Sequence, residues 1–307
     1  MNKNPEVSFI ICTYNRASYL EDTLSSLLEF GSKDFEYEFV VIDNNSTDNT
    51  ARIADKYRTL ASRKDVEMNY YKETEQGLSY ARNRGIREAK AKNVVFFDDD
   101  IRATKSLIPS WCTFFRQNPD TAAAGGKIHV QFDAPRPEWM SHFLLPLLGH
   151  HDLGNSRKEY PPNKYPFGGN MGFQKSIFDR VGLFNTDLGR KGTQLNAAEE
   201  KDLFQRLRNH SLPIYYLPDA FLFHRVDRDR LDVQFIKKQA LGLGRSMKLQ
   251  LQDTSFSRFL KNWFLELGKL LATFPIGVGY LIMLQAAKAR LLFRFRFWIW
   301  EGYRKGL

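Results

Sequence analysis

Residues 93–101, NVVFFDDDI, decide how this chain is expected to fold. Val94, Val95, Phe96 and Phe97 form a continuous apolar run of β-branched and aromatic side chains, the composition of a strand covered on both faces. The run ends in Asp98, Asp99 and Asp100. Adjacent carboxylates repel by about 4 kcal/mol per pair at 4 Å and a surface-like dielectric. The pattern therefore predicts a buried strand whose tip faces something positive.

Working back to the N-terminus, strand and helix signals alternate in the rhythm of βαβ units, which implies a mainly parallel sheet with right-handed crossovers. VSFIICT is a strand, and Leu20, Leu24, Leu27 and Leu28 then recur at helical spacing. EYEFVVID repeats the pattern, with Ser46 or Thr47 placed to cap a helix carrying Ile53, Ala54 and Tyr57. MNYYKE reads as a shorter third strand and GLSYARNRGIREAKAK as a third helix. In such sheets ligands bind beyond the carboxyl ends of the strands. Thr13 to Asn15, Asp43 to Asn45 and Asp98 to Asp100 all fall at predicted carboxyl ends, so three polar tips share one edge.

Working forward, the rhythm breaks after Arg116. QFDAPRPEWM and EYPPNKYPFGGNMGF are proline-rich and read as loops and short strands over the sheet edge. AEEKDLFQRLRNHS is helical, with Leu203, Phe204 and Leu207 on one side, and PIYYLPDAFLFHRV reads as a closing strand pair. From Asp232 onward a helical pattern dominates, and the composition shifts near Phe256. The expected division is residues 1–230 as an α/β catalytic domain and 231–307 as a helical, basic and aromatic extension.

The 307 residues are 43% hydrophobic and 26% charged, ordinary values that argue against a disordered or fibrous chain. The two cysteines, Cys12 and Cys112, lack CxxC or Cys/His spacing and read as buried apolar residues in a reducing compartment. The first residues, MNKNPEVSFIICTYNR, lack the apolar length and small-residue cleavage site of a secretion signal, so the expected location is the cytoplasm. The net charge of +10 fits nucleic acid, anionic lipid or a nucleotide substrate. From Ser255 to Leu307 nine Lys/Arg face two acids, 9 − 2 = +7, so most of the surplus is in the tail.

Several side chains carry candidate chemistry. Asp98 to Asp100 contain a D-x-D, and a hard cation such as Mg²⁺ or Mn²⁺ couples carboxylates to phosphates, although a solvated acidic turn gives the same letters. Asp43 can accept from a base N–H or a ribose hydroxyl, or simply form an Asx turn with Asn44, Asn45 and Ser46. Gly77 precedes a helix whose first turns carry Arg82 and Arg84, an arrangement favourable to anions. Glu199, Glu200 and Asp202 open a helix, where acids suit the macrodipole; one glutamate could also be a general base. His224 ends FLFH as a partly buried histidine or an extra metal ligand, whereas His129, His142, His150, His151 and His210 show no ligand spacing.

Taken in order, VSFIICTYNR, VVIDNNSTD, EQGLSYARNRGI, VVFFDDD, GGNMGF and AEEKDLFQRL followed by FLFHRV resemble the signature series of the family 2 glycosyltransferases, over about the first three quarters of the chain. The resemblance implies a GT-A fold with a C-terminal helical extension, and a divalent cation, Mn²⁺ or Mg²⁺, at the acidic strand tip. It implies that Asp43 meets the nucleoside of a nucleotide sugar, with Thr13 and Asn15 near the base. Arg82, Asp99, Gly169 and Asn170 join the donor-binding set, Gly168 lying in the same loop. Asp98 would touch ribose or metal, Asp100 would be the principal metal ligand, and His224 would complete its shell. The family's base lies in a Glu-Asp pair; AEEKD puts Glu200 where the aspartate stands, which leaves Glu199 and Glu200 both open.

The activity so implied is inverting transfer of a sugar from a nucleoside diphosphate, UDP-linked, to a glycan or lipid-linked acceptor in cell-envelope polysaccharide synthesis. Two other classes compete. Nucleotidyl transfer also uses acidic strand tips, but its glycine-rich phosphate loop is missing after FIICTYN. A basic lipid- or nucleic-acid-binding protein fits the tail, yet the acids would repel phosphate without a cation, and nucleic acid is not expected as a partner.

Leu270 to Ala287 carries no charge for eighteen residues but includes Pro275, Gly277, Gly279 and Gln285. It sits at the lower edge of spanning length and equally suits packing on protein. The next stretch, KARLLFRFRFWIWEGYRKGL, interleaves arginine with aromatics and reads as a helix lying in an anionic interface, aromatic side in lipid. Peripheral contact at the inner face of the cell membrane is the expectation.

Overall fold

The computed structural model describes residues 4–188, 199–252 and 256–305. Its elements form two compact units, one of Met1–His129 and His151–Arg225, the other of Val130–His150 and Val226–Leu307.

The first unit begins with the expected βαβ series: β1 (Val7–Thr13), α1 (Ala17–Glu29), β2 (Tyr37–Asp43), α2 (Thr50–Ser62), β3 (Glu67–Lys72), α3 (Leu78–Glu88) and β4 (Asn93–Asp98). It continues through β5 (Ile101–Ala103), α4 (Leu107–Gln117), β6 (Ala123–Phe132), β7 (Lys158–Glu159), β8 (Asn170–Gln174), α5 (Ile177–Val181), α6 (Glu199–Asn209) and β9 (Ile214–Val226). The sheet order is β3-β2-β1-β4-β8-β6-β9-β5, with β7 paired to β9. β3, β2, β1 and β4 run parallel, whereas β8 is antiparallel to β4 and to β6.

Alternation along each central strand fills both faces of this sheet. Phe9 and Ile11, Phe39 and Val41, Val95 and Phe97 join one core cluster, with Leu20, Leu24 and Leu27 of α1 and Ile108 and Trp111 of α4. Their neighbours Ile10, Val40, Ile42, Val94 and Phe96 join the other, with Ala81 and Ile86 of α3 and Leu203 and Phe204 of α6. Two covered faces explain why these strands read as continuous apolar runs. Phe9 stacks on Phe97 at 5.3 Å. α3 lies so close to β1 that a side chain at Gly85 would overlap Ile10.

The structure differs from the sequence reading in three local respects. PIYYLPDAFLFHRV is one strand rather than a pair; Pro218 falls between the stretch paired with β7 at Tyr215 and Tyr216 and that paired with β5 from Leu222. The segment containing Asn170 to Gln174 is an interior strand of the sheet, not a cover over its edge. Neither Ser46 nor Thr47 caps α2, which starts at Thr50; the nearby Asp48 instead accepts from the Thr50 N–H at 3.0 Å.

The second unit holds a 3-10 turn at His142–Leu148, another at Arg228–Leu231, and three helices, α7 (Val233–Gln252), α8 (Phe256–Ile282) and α9 (Ala286–Lys305). Its core gathers Leu144, Leu148, Val226, Ile236 and Ala240 with Leu291, Phe295, Trp298 and Ile299 of α9.

Candidate active site

The register of the parallel strands assembles the site. Thr13 stands opposite Asp43 and Cys12 opposite Asp98, so the tips of β2 and β4 flank the end of β1. Two tip residues, Asn15 (φ 51°) and Asn45 (φ 66°), adopt the left-handed conformation that asparagine tolerates better than most residues. Asn15 ties the two loops together: its N–H donates to Ser46 Oγ at 2.8 Å, and the Thr47 N–H donates to Asn15 Oδ1 at 2.7 Å. Asp43 is buried, and its carboxylate accepts from the Ser46 N–H (2.8 Å) and from the Tyr70 hydroxyl (2.6 Å). Burial, then the bond to Asp43, raises the Tyr70 phenol well above its ordinary value.

The triple-aspartate tip is held from several sides. Thr23, fully buried on α1, donates its hydroxyl toward Asp99 O (2.8 Å) and Ile101 O (3.0 Å) and accepts from the Ile101 N–H. Asp99 points inward, accepting from Thr13 Oγ1 (2.7 Å) and Arg16 Nη1 (2.6 Å). The other arm of Arg16 reaches Asp100 Oδ2 at 2.9 Å. Burial, opposed by Arg16 and reinforced by Asp100, pushes the Asp99 carboxyl up to about 7. For Arg16, burial works against the charge but is outweighed by Asp99 and Asp100, which hold the guanidinium protonated.

Antiparallel pairing of Ile101 with His224 brings the imidazole to this tip, its Nε2 standing 3.2 Å from Asp100 Oδ1. One ligand atom each from Asp98, Asp100 and His224 lies within 4.8 Å of the others. This set could hold a metal ion. Two hard carboxylate oxygens and an imidazole nitrogen suit a cation of the Mg²⁺ or Mn²⁺ kind. Arg16 bridges Asp99 and Asp100, so the tip gathers three aspartates around one guanidinium, with Asp98 and Asp100 turned to the imidazole of His224.

Glu199 and Glu200 reach the same edge from the first turn of α6. Arg82, buried on α3, bridges them, donating from Nη1 to Glu199 Oε1 (3.0 Å) and from Nη2 to Glu200 Oε1 (2.9 Å). Burial disfavours its charge, yet Glu200 and Glu199 outweigh this and keep it protonated. Glu199 is 1% exposed at its side chain and Glu200 21%, so Glu200 is the one open to solvent. Consecutive glycines join the two carboxylate groups. A methyl group at Gly168 would overlap Glu200 and Arg82, and one at Gly169 would lie 2.7 Å from Asp98 Oδ2. Both glycines give room for close approach.

All the candidate residues named from the sequence thus lie in the first unit. Asn170 sits beneath rather than at the surface: fully buried, its amide donates to Lys127 O (3.1 Å) and Ala220 O (2.7 Å) and accepts from Trp111 Nε1 (3.0 Å). Arg82 spends its guanidinium on the two glutamates. Arg16, Thr23 and Tyr70 were not singled out from the sequence; of these only Arg16, directly after Thr13-Tyr14-Asn15 at a strand tip, carried a local signal. A separate cleft of about 950 Å³, lined by Arg87, Lys90, Lys92 and Lys175, lies beside the Asn93–Gln174 pair at the amino end of β4 and contains none of these residues.

Comparison with known proteins bears on what this edge does. The sequence model of the family described as glycosyl transferase family 2 matches residues 8–182. A glucosyl-dolichyl phosphate glucuronosyltransferase of Haloferax volcanii is 24% identical over 249 residues, 80% of this chain and 77% of that protein. Of the further curated relatives compared, the chain spans less than half the length. Among solved structures, the mannosyltransferase PcManGT from Pyrobaculum calidifontis, in complex with GDP-Man and Mn²⁺, has a TM-score of 0.63 at 19% identity, covering 99% of this chain and 87% of that one. S. aureus TarS in complex with UDP-GlcNAc has a TM-score of 0.57 at 18% identity, covering 97% and 89%. These structures share the GT-A fold.

Proposed function

The chain belongs to glycosyl transferase family 2, and we propose that it is a metal-dependent, inverting enzyme that moves a sugar from a UDP-linked donor to a glycan or lipid-linked acceptor in cell-envelope polysaccharide synthesis. The observation that carries this reading is the pair of opposed groups across Gly168 and Gly169. An acidic tip that brings Asp98, Asp100 and His224 together lies on one side, and an arginine-anchored glutamate on the other.

In this reading Asp98, Asp100 and His224 hold a divalent cation, Mn²⁺ or Mg²⁺, which when bound neutralises charge on the donor diphosphate. Asp43 meets the nucleoside, held in place by Tyr70 and by the Asn15–Ser46–Thr47 bonds around it. Asp99 anchors the tip through Thr13 and Arg16, so its contribution to donor binding is to position Asp98 and Asp100. Asn170 likewise fixes the strand that follows Gly168 and Gly169.

Glu200 is the base. Its carboxylate takes the proton of the acceptor hydroxyl as that oxygen forms a bond to the anomeric carbon; the bond from that carbon to the diphosphate breaks, its electron pair leaving with the nucleoside diphosphate. Arg82 aims Glu200 through its Nη2 bond, and Glu199, buried against the same guanidinium, is the second anchor of that clamp. The setting proposed is the inner face of the cell membrane, with the basic C-terminal unit in contact with it.

The test is a panel of nucleotide sugars incubated with the full chain and Mn²⁺ while nucleoside diphosphate release is followed. Release from one UDP-sugar, increased by acceptor glycan, is the expected result; release from none, or release unaffected by chelator, contradicts the reading.

A further inference from the structure

α8 is built inside out. Its window Phe264–Ile282 has the length and mean hydropathy, 1.4, of a membrane-crossing helix, yet only 11% of it is buried. Two of its polar and small positions are turned toward α9: Thr273 is buried and accepts from Arg296 Nε at 3.3 Å, and Gly277 is so tightly packed that a side chain there would overlap Phe293. Leu271, Phe274, Val278, Leu281 and Ile282 are exposed, at the spacing of one continuous helical face. The stripe runs on past the end of the helix into Met283 and Leu284, which is 93% exposed. A soluble helix shows the opposite arrangement, and an apolar patch of this extent marks an interaction surface.

Charge identifies the occupant as lipid. The tail from Ser255 carries the surplus of seven positive charges, and the exposed cations of this unit include Lys269, Arg290, Arg294 and Arg304. Apolar side chains edged by lysine and arginine fit acyl chains below anionic headgroups. The same arginines argue against a span. Nineteen residues of helix reach about 28 Å, enough for a bilayer core. But α9 runs back along α8, with Phe293 against Phe274 and Arg296 at Thr273, so crossing would take Arg294 and Arg296 into hydrocarbon, at about 2.5–3.5 kcal/mol each. α9 is divided: Leu291, Phe295, Trp298 and Ile299 fill the core of the unit, while Phe297 and Trp300 are exposed. Of the two alternatives left open for the uncharged stretch, α8 shows an exposed apolar face, and the arginine-aromatic helix α9 both packs on protein and exposes Phe297 and Trp300.

We propose that the outward face of α8, from Leu271 to Leu284, lies flat in the interfacial layer of an anionic membrane, immersed to the depth of its side chains, without crossing it. This rests on the membrane-face reading given above and names the surface that makes the contact.

The experiment is flotation of the full chain with phosphatidylcholine vesicles, with and without phosphatidylglycerol, comparing wild type with Val278→Glu and Leu281→Glu. These positions are exposed, so the variants keep the fold, checked by circular dichroism. Expected is flotation of wild type with the anionic vesicles, release by an alkaline wash, and a loss of partitioning of roughly ten-fold or more in either variant. Wild type that floats while both variants float equally well overturns the α8 face alone. Wild type that resists the alkaline wash overturns the flat geometry in favour of a span. Wild type that floats with neither vesicle overturns the membrane-face reading as well. A dimer in sedimentation that the same substitutions dissociate assigns the face to a second copy and overturns the proposal.

Discussion

The carboxyl edge of the sheet and the outer face of α8 break the usual rule of burial in opposite directions. At the sheet edge, charge goes inside: Asp99, Asp100, Glu199 and Arg82 are all buried. On α8, apolar surface goes outside. Each departure costs folding free energy and so calls for compensation. At the edge most of it is internal, because Arg16 bridges two aspartates and Arg82 two glutamates. The group there suited to an outside partner is the cluster of Asp98, Asp100 and His224, which could hold a cation. On α8 the stripe from Leu271 to Leu284 stays exposed apart from the contact of Phe274 with Phe293, and lipid is the partner proposed for it. An interior exception therefore shows itself by clustered charge, and a surface exception by exposed apolar area.

Breaking the edge should have the largest effects. Glu200→Gln keeps the shape of the side chain but removes the base, so transfer should slow by roughly 10²- to 10⁴-fold with donor binding retained, measured by turnover and by donor titration. Unaltered turnover would remove Glu200 from that role. Arg82→Met strips the counter-charge from a buried glutamate and a half-buried one, and should cost about 3–5 kcal/mol in denaturant unfolding. An unchanged midpoint would mean that the clamp contributes nothing to the fold.

Smaller changes sharpen the contrast. Thr23→Val is nearly isosteric but leaves Asp99 O, Ile101 O and the Ile101 N–H without their partner, for a loss of about 1–3 kcal/mol. The effect should be seen in thermal unfolding and be absent from vesicle binding. The smallest expected effect lies outside the site. Burial raises the Asp152 carboxyl, but its bonds to His129 and to the Gly154 N–H, with Lys127 nearby, outweigh this and lower it from 3.8 to about 2. A carboxylate held below its unfolded value stabilises the fold above pH 3.8, and that gain disappears as pH falls through about 2. Asp152→Asn should therefore cost about 1 kcal/mol at neutral pH, after allowance for solvent screening, and the deficit should vanish in strong acid. A deficit that persists there would assign the loss to packing.

Much of the edge was legible in the sequence because it is made of local signals. A buried strand announces itself by a run such as Val94 to Phe97, and the residue at its carboxyl end follows directly, which is how Asp43 and Asp98 were found on one rim. What stayed hidden are the long-range choices. Thr23 meets Asp99 across 76 positions and Arg16 meets it across 83, and no periodicity encodes either pairing. The interior placement of β8 was masked by the prolines and glycines before it, which read as loop. α8 and α9 show the same limit. Amphipathic spacing marks an apolar side, but which helix uses that side for a neighbour depends on tertiary packing, here the seating of α9 against α7.

The central claim is that Asp98 and Asp100 at the tip of β4, with His224, hold a divalent ion that also grips the donor diphosphate. Calorimetry of uridine diphosphate binding, with and without Mn²⁺, on wild type and Asp100→Asn tests it most directly. The expected result is binding by wild type only when Mn²⁺ is present and a large loss in the variant. Equal affinity in all four titrations would contradict the account.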